Sequence, residues 1–79
     1  MIMVFEILKK IIAEQFGIEE SEVTTDLVFE DDLDADSLDL VDIAMSIEDE
    51  FRLEITGDEF DNLDHPLTVG DLVKFIEEN

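Results

Sequence analysis

The chain has 79 residues, with 24 acidic side chains set against 4 basic ones (Lys9, Lys10, Arg52 and Lys74), for a formal net charge of −20. The length admits one small domain, expected over 1–79, and a hydrophobic content of 46% is too high for an acidic disordered tail. The acidity argues against nucleic acid and against docking on anionic membranes, both of which need Lys and Arg, and the lack of cysteine excludes disulfides, zinc–thiolate sites and iron–sulfur clusters.

The first eight residues are apolar, but Glu6 interrupts them, and Lys9 and Lys10 follow rather than precede them. That order is wrong for a signal peptide, and no stretch reaches the ~18 apolar residues of a membrane span. A soluble, cytoplasmic protein is expected. From Met3 to Phe16, Val4, Ile7, Leu8 and Ile11 share one helical stripe, with Phe5 and Ile12 at its edge and Gly17 placed as a C-cap.

A long connection, Ile18 to Asp36, follows. It offers short turns at Glu19–Val23 and Thr24–Asp26, with Leu27, Val28, Phe29 and Leu33 as apolar anchors among the acids. Ser37 to Phe51 reads as the second strong helix, capped by Asp36 with Asp39 three residues on. A turn at Ile55–Asp58 and a short helix at Asp58–Leu63, with Phe60 and Leu63 inward, lead to His65-Pro66. Thr68-Val69-Gly70-Asp71 resembles a capping box that opens a last helix carrying Val69, Leu72, Val73 and Ile76, with Phe75 alongside. No segment alternates with a period of two. The expected fold is all-α: a small four-helix bundle of three longer helices and one short one.

The second helix has two apolar faces. Leu40, Ile43, Ala44, Ile47 and Phe51 fall within an arc of roughly 100°, while Leu38, Val41 and Met45 cluster roughly 135° away, flanked by Asp42, Glu48 and Asp49. The pattern alone leaves two readings of that cluster: packing under the long connection, or an exposed patch for partners.

Other chemistry is poorly supported. An EF-hand register starting at Asp32 puts Ser37 where Gly is needed and Ile43 where Glu is needed, so weak surface binding of divalent ions is all the acids promise and no specific metal site is expected. Paired carboxylates in such number read as a solvated surface rather than a catalytic pair. His65 stands before Pro66 in a turn, and nothing sets it beside Ser37 for a triad. Ser37 by spacing is an ordinary first-turn residue. Its hydroxyl is nevertheless well placed for a phosphoester, at the positive end of the helix dipole.

The run Asp31-Asp32-Leu33-Asp34-Ala35-Asp36-Ser37-Leu38-Asp39, continued by Val41 to Phe51 and by Thr68-Val69-Gly70-Asp71-Leu72-Val73, resembles the acyl carrier proteins over nearly the whole chain. The resemblance implies a non-catalytic carrier. In it, Ser37 holds 4′-phosphopantetheine through a phosphodiester, installed from coenzyme A by a holo-synthase (a phosphopantetheinyl transferase), and Asp36 is the adjacent motif acid. Such a thiol would explain a carrier without cysteine. The same resemblance assigns Leu38, Asp39, Val41, Asp42, Met45, Glu48 and Asp49 to a partner-docking face for enzymes of fatty acid biosynthesis with basic patches. It names Ile43, Ile47, Phe51, Leu63 and Leu72 as possible shelter for the acyl chain. It implies a phosphoprotein of lipid metabolism, expected to be a monomer. A polyketide or other specialised carrier, or an acidic cation- or protein-binding module without a prosthetic group, are the alternatives. The chain departs from the family pattern at Asp34 and Arg52, where Gly is common, and at Thr56-Gly57, where Ile-Pro often stands.

Overall fold

The computed structural model describes residues 3–55 and 64–78. Helix α1 runs Val4–Phe16, α2 Phe29–Asp32, α3 Ser37–Phe51 and α4 Val69–Glu77, with a 3₁₀ turn at Glu20–Glu22. The architecture is a small helical bundle in which α1 packs against both α3 and α4. The short helix expected at Asp58–Leu63, including Phe60 and Leu63, lies outside the described residues.

α3 and α4 bury the faces that their periodicity marks, whereas α1 buries Leu8 together with Ile12, expected at the edge of its stripe, and leaves Val4, Ile7 and Ile11 half-buried. Leu8 and Ile12 of α1, Ile43 and Ile47 of α3, and Val69, Leu72 and Ile76 of α4 form the core, and no polar or charged described residue is buried with them. Burial of this apolar set is the main favourable term in the fold. Lys9 lies on the outside of α1, paired with Glu6 at 2.7 Å and 5.2 Å from the centre of the Phe5 ring.

The first connection is more ordered than its sequence suggests. Val23, Leu27, Phe29 and Ala35 are all buried, whereas Val28 and Leu33 are only half-buried. Phe29 is fully enclosed, its ring 6.3 Å from that of Phe16 and tilted by 46°. The single helical turn α2, unexpected from the sequence, carries it. The Phe29 N–H donates to Leu67 O, the Val69 N–H to Leu27 O and the Gly70 N–H to Thr25 O. These bonds flank an antiparallel bridge between Val28 and Thr68, which joins the connection to the start of α4. Gly70 permits the approach: a Cβ there would stand 3.1 Å from Thr25 O. Among the described residues no helix is long and apolar enough to cross a membrane.

Candidate functional site

Ser37 is the first residue of α3, and it is exposed. Asp36 before it holds extended backbone and serves as the N-cap. Its carboxylate accepts the Asp39 N–H at 2.9 Å, while the Asp39 carboxylate accepts the Asp36 N–H at 3.1 Å. This reciprocal box ties down two donors that a helix start leaves open. The N–H groups of Ser37 and Leu38 find no acceptor among the described residues. The result is a solvent-facing hydroxyl beside two open donors at the positive end of a helix dipole, an arrangement suited to an esterified phosphate.

Three residues upstream, Asp34 has φ 55°, in the left-handed region where a side chain is rarely accommodated. Its sharp bend lets the chain leave α2 and enter α3 within four residues. Ala35, between Asp34 and the cap, turns inward: it is buried, and its N–H donates to Phe29 O at 3.0 Å. The loop before Ser37 is thereby pinned to the backbone of Phe29, the most enclosed residue of the connection.

Along α3 the second apolar cluster is exposed rather than packed under the connection. Leu38 is 73% accessible, Val41 52% and Met45 61%. Asp42 and Asp49 are exposed beside them. Asp39 and Glu48 are half-buried, each with a structural duty. Asp39 completes the cap, and Glu48 accepts the Ile55 N–H at 2.8 Å, bracing the chain that leaves the helix. The Glu48 contact was invisible in the sequence because it spans seven residues and a reversal of direction.

Of the residues considered as acyl shelter, Ile43, Ile47 and Leu72 are buried and Phe51 is half-buried; Leu63 lies outside the described residues. An open hollow of about 390 Å³ lies on the first connection, lined by Ile18, Glu22, Thr24, Asp26, Leu27, Asp32 and Leu33. The Asp32 carboxylate on its wall is committed to the Val28 N–H at 2.7 Å.

His65 has a structural partner set. Its ring nitrogens lie 2.9 Å from Asp64 and 3.0 Å from Asp71. The Asp64 bond first, then the Asp71 bond, raise its pKa above the ordinary 6.5. Asp64 is correspondingly lowered, chiefly by the His65 bond. Partial burial would raise Asp71, but the Thr68 N–H and the His65 ring outweigh it and bring that carboxyl below the ordinary value.

The exposed Ser37, its acidic cap and a bare apolar stripe thus lie together on α3. The family model described as the phosphopantetheine attachment site matches residues 6–76, and the chain belongs to that family. Its prosthetic group is therefore 4′-phosphopantetheine, held covalently. The chain is also similar to the acyl carrier protein of Enterococcus faecalis, whose structure was described for its high thermal stability. The two share 37% identity over 96% of this chain and 92% of that one, with a TM-score of 0.76. The role is that of an acyl carrier and not of an enzyme, working with a phosphopantetheinyl transferase and acyl-processing enzymes.

Proposed function

We propose that this chain carries the acyl intermediates of fatty acid synthesis in the cytoplasm, as a monomer, with 4′-phosphopantetheine joined to Ser37 Oγ. The observation that carries the attachment is the exposed Ser37 hydroxyl at the first position of α3, with the Ser37 and Leu38 N–H groups open beside it. In the transfer, Ser37 Oγ loses its proton and bonds to the phosphorus nearer the pantetheine. The pyrophosphate P–O bond of coenzyme A breaks, and 3′,5′-ADP leaves. The bound group supplies the thiol that this cysteine-free chain lacks. Asp36 and Asp39 hold the serine at the helix start, by the box they form.

The docking face is Leu38, Val41 and Met45 with Asp39, Asp42, Glu48 and Asp49. Its exposed apolar anchors and the exposed carboxylates of Asp42 and Asp49 suit basic enzyme surfaces, and such pairs are brief and screened by salt. Met45 can repack against several partners in turn.

Intact-mass analysis after incubation with coenzyme A, magnesium and a holo-synthase tests the attachment. The wild type gains the mass of one phosphopantetheine and Ser37→Ala gains none; an equally modified mutant would refute the assignment. Loading of the holo chain with malonyl groups, followed by extension with a ketosynthase of dissociated fatty acid synthesis, tests the pathway. A holo chain that is never extended by those enzymes overturns that part alone.

A further inference from the structure

Helices α1 and α3 end in the same motif with different residues. At the end of α1, the Gly17 and Ile18 N–H groups both donate to Ala13 O, and Gly17 takes φ 67°. At the end of α3, the Arg52 and Leu53 N–H groups both donate to Glu48 O, and Arg52 takes φ 53°. The motif needs one left-handed residue, for which glycine is the unstrained choice. Here α3 uses an arginine.

The helix dipole favours a cation at this end, where α3 has no basic residue within its last turn, but any position of that turn would serve it without the left-handed backbone. Arg52 is also the only Lys or Arg between Lys10 and Lys74. It is exposed, and despite Glu48, Asp49, Glu50 and Glu54 around it in sequence, it forms no ion pair among the described residues. It directly follows Phe51, at the end of α3 opposite Ser37.

We propose that Arg52 is a docking charge of opposite sign, which sets the direction in which α3 lies on a partner. The partner is an acyl-processing or phosphopantetheine-transferring enzyme with a basic surface. That surface carries a carboxylate about 22 Å along α3 from the point that receives Ser37, the length of fifteen helical residues. A uniformly acidic helix can be met from either end by a basic patch. One cation at the far end makes the reversed pose repulsive, because like charges then face each other. The inference rests on reading α3 as the docking face.

The sign of the effect makes the test sharp. If α3 were only an acidic surface, removing Arg52 would tighten binding to a basic enzyme. With a holo-synthase as probe, the KM for apo carrier is measured at low and high salt for wild type, Arg52→Gly, Arg52→Glu and Asp42→Lys. Arg52→Gly keeps the left-handed backbone and removes the side chain, Arg52→Glu keeps a side chain there and reverses its charge, and thermal melts establish that each variant folds. Expected is a rise in KM of about twofold for Arg52→Gly and about fivefold for Arg52→Glu, with kcat unchanged and the effects shrinking at high salt. Asp42→Lys also raises KM. If Asp42→Lys raises KM while Arg52→Glu lowers it or leaves it unmoved, the Arg52 inference is overturned and the docking face stands. If neither substitution moves KM, the docking face falls, and the inference with it.

Discussion

Asp34 and Arg52 hold backbone angles that glycine adopts without a steric penalty, at φ 55° and 53°. They bracket α3, one in the loop that leads to Ser37 and one at the far end. Strain kept at both ends of a helix that presents a site is consistent with selection for the side chains rather than for stability. Asp tolerates the left-handed region better than Arg, because its short side chain bonds locally. Asp34→Gly is therefore expected to stabilise by about 0.5 kcal/mol and Arg52→Gly by about 1 kcal/mol, together a rise of several degrees in Tm. Chemical denaturation of the two single variants checks this. A loss of stability in either would mean that its side chain makes a contact worth more than the strain. Positive φ at these two positions had no signal in composition or periodicity. It was legible only through the family pattern, which commonly has Gly at both.

At the scale of elements, the helices with a local signal were legible and the long-range stitching was not. α3 spans the same residues that its periodicity and the Asp36 cap predict, α1 begins one residue later than expected, and α4 opens at the expected Thr68 cap. Caps and 3.6-residue stripes are written in neighbouring side chains. The turn α2 and the Val28–Thr68 bridge depend on partners some forty residues away in sequence, so no local window contains them. The ring of His65 is a similar case. Thr68 and Asp71 form the expected capping box, with the Thr68 hydroxyl accepting the Asp71 N–H and the Asp71 carboxylate accepting the Thr68 N–H. His65 adds a bond to that same carboxylate, tying the segment before α4 to its first turn.

A pH dependence follows from this bond. His65 is raised above 6.5, so its contribution is fully present below that value and is lost as pH rises through the folded-state pKa. Asp64 and Asp71 are lowered from 3.8, so theirs is present above that value and is lost as pH falls. All three act together between these limits. The Tm advantage of the wild type over His65→Gln is expected to be largest near pH ~5.5 and to shrink by pH ~8.5. An advantage that is constant across that range would show that the imidazolium is not the stabilising form.

For the whole molecule, the excess of acid is uneven, and among the described residues none of it is buried. Of the 24 acids, 14 lie between Glu30 and Asp61, where Arg52 is the sole basic residue. No charged described residue is buried, and the one Lys or Arg ion pair among the described residues is Lys9 with Glu6, away from that stretch. The molecule measures 31 × 26 × 20 Å, with a Cα radius of gyration of 11.5 Å. At an ionic strength of 0.01 M the screening length is about 30 Å, so every carboxylate senses the charge of the rest; at 0.1 M it is about 10 Å and only neighbours interact. Folding gathers a net charge of −20 into this volume, whereas the unfolded chain spreads it out. Stability should therefore rise with salt, and rise further with magnesium at equal ionic strength, because a divalent ion can lie between adjacent carboxylates of the folded surface. Differential scanning calorimetry in ~10 mM and ~200 mM sodium chloride, and in magnesium chloride matched to the latter, measures both effects. A Tm that does not move between the sodium conditions would mean that repulsion is not limiting in this fold. Equal Tm in sodium and magnesium at matched strength would mean that the acids act as a diffuse field, with no ion held between them.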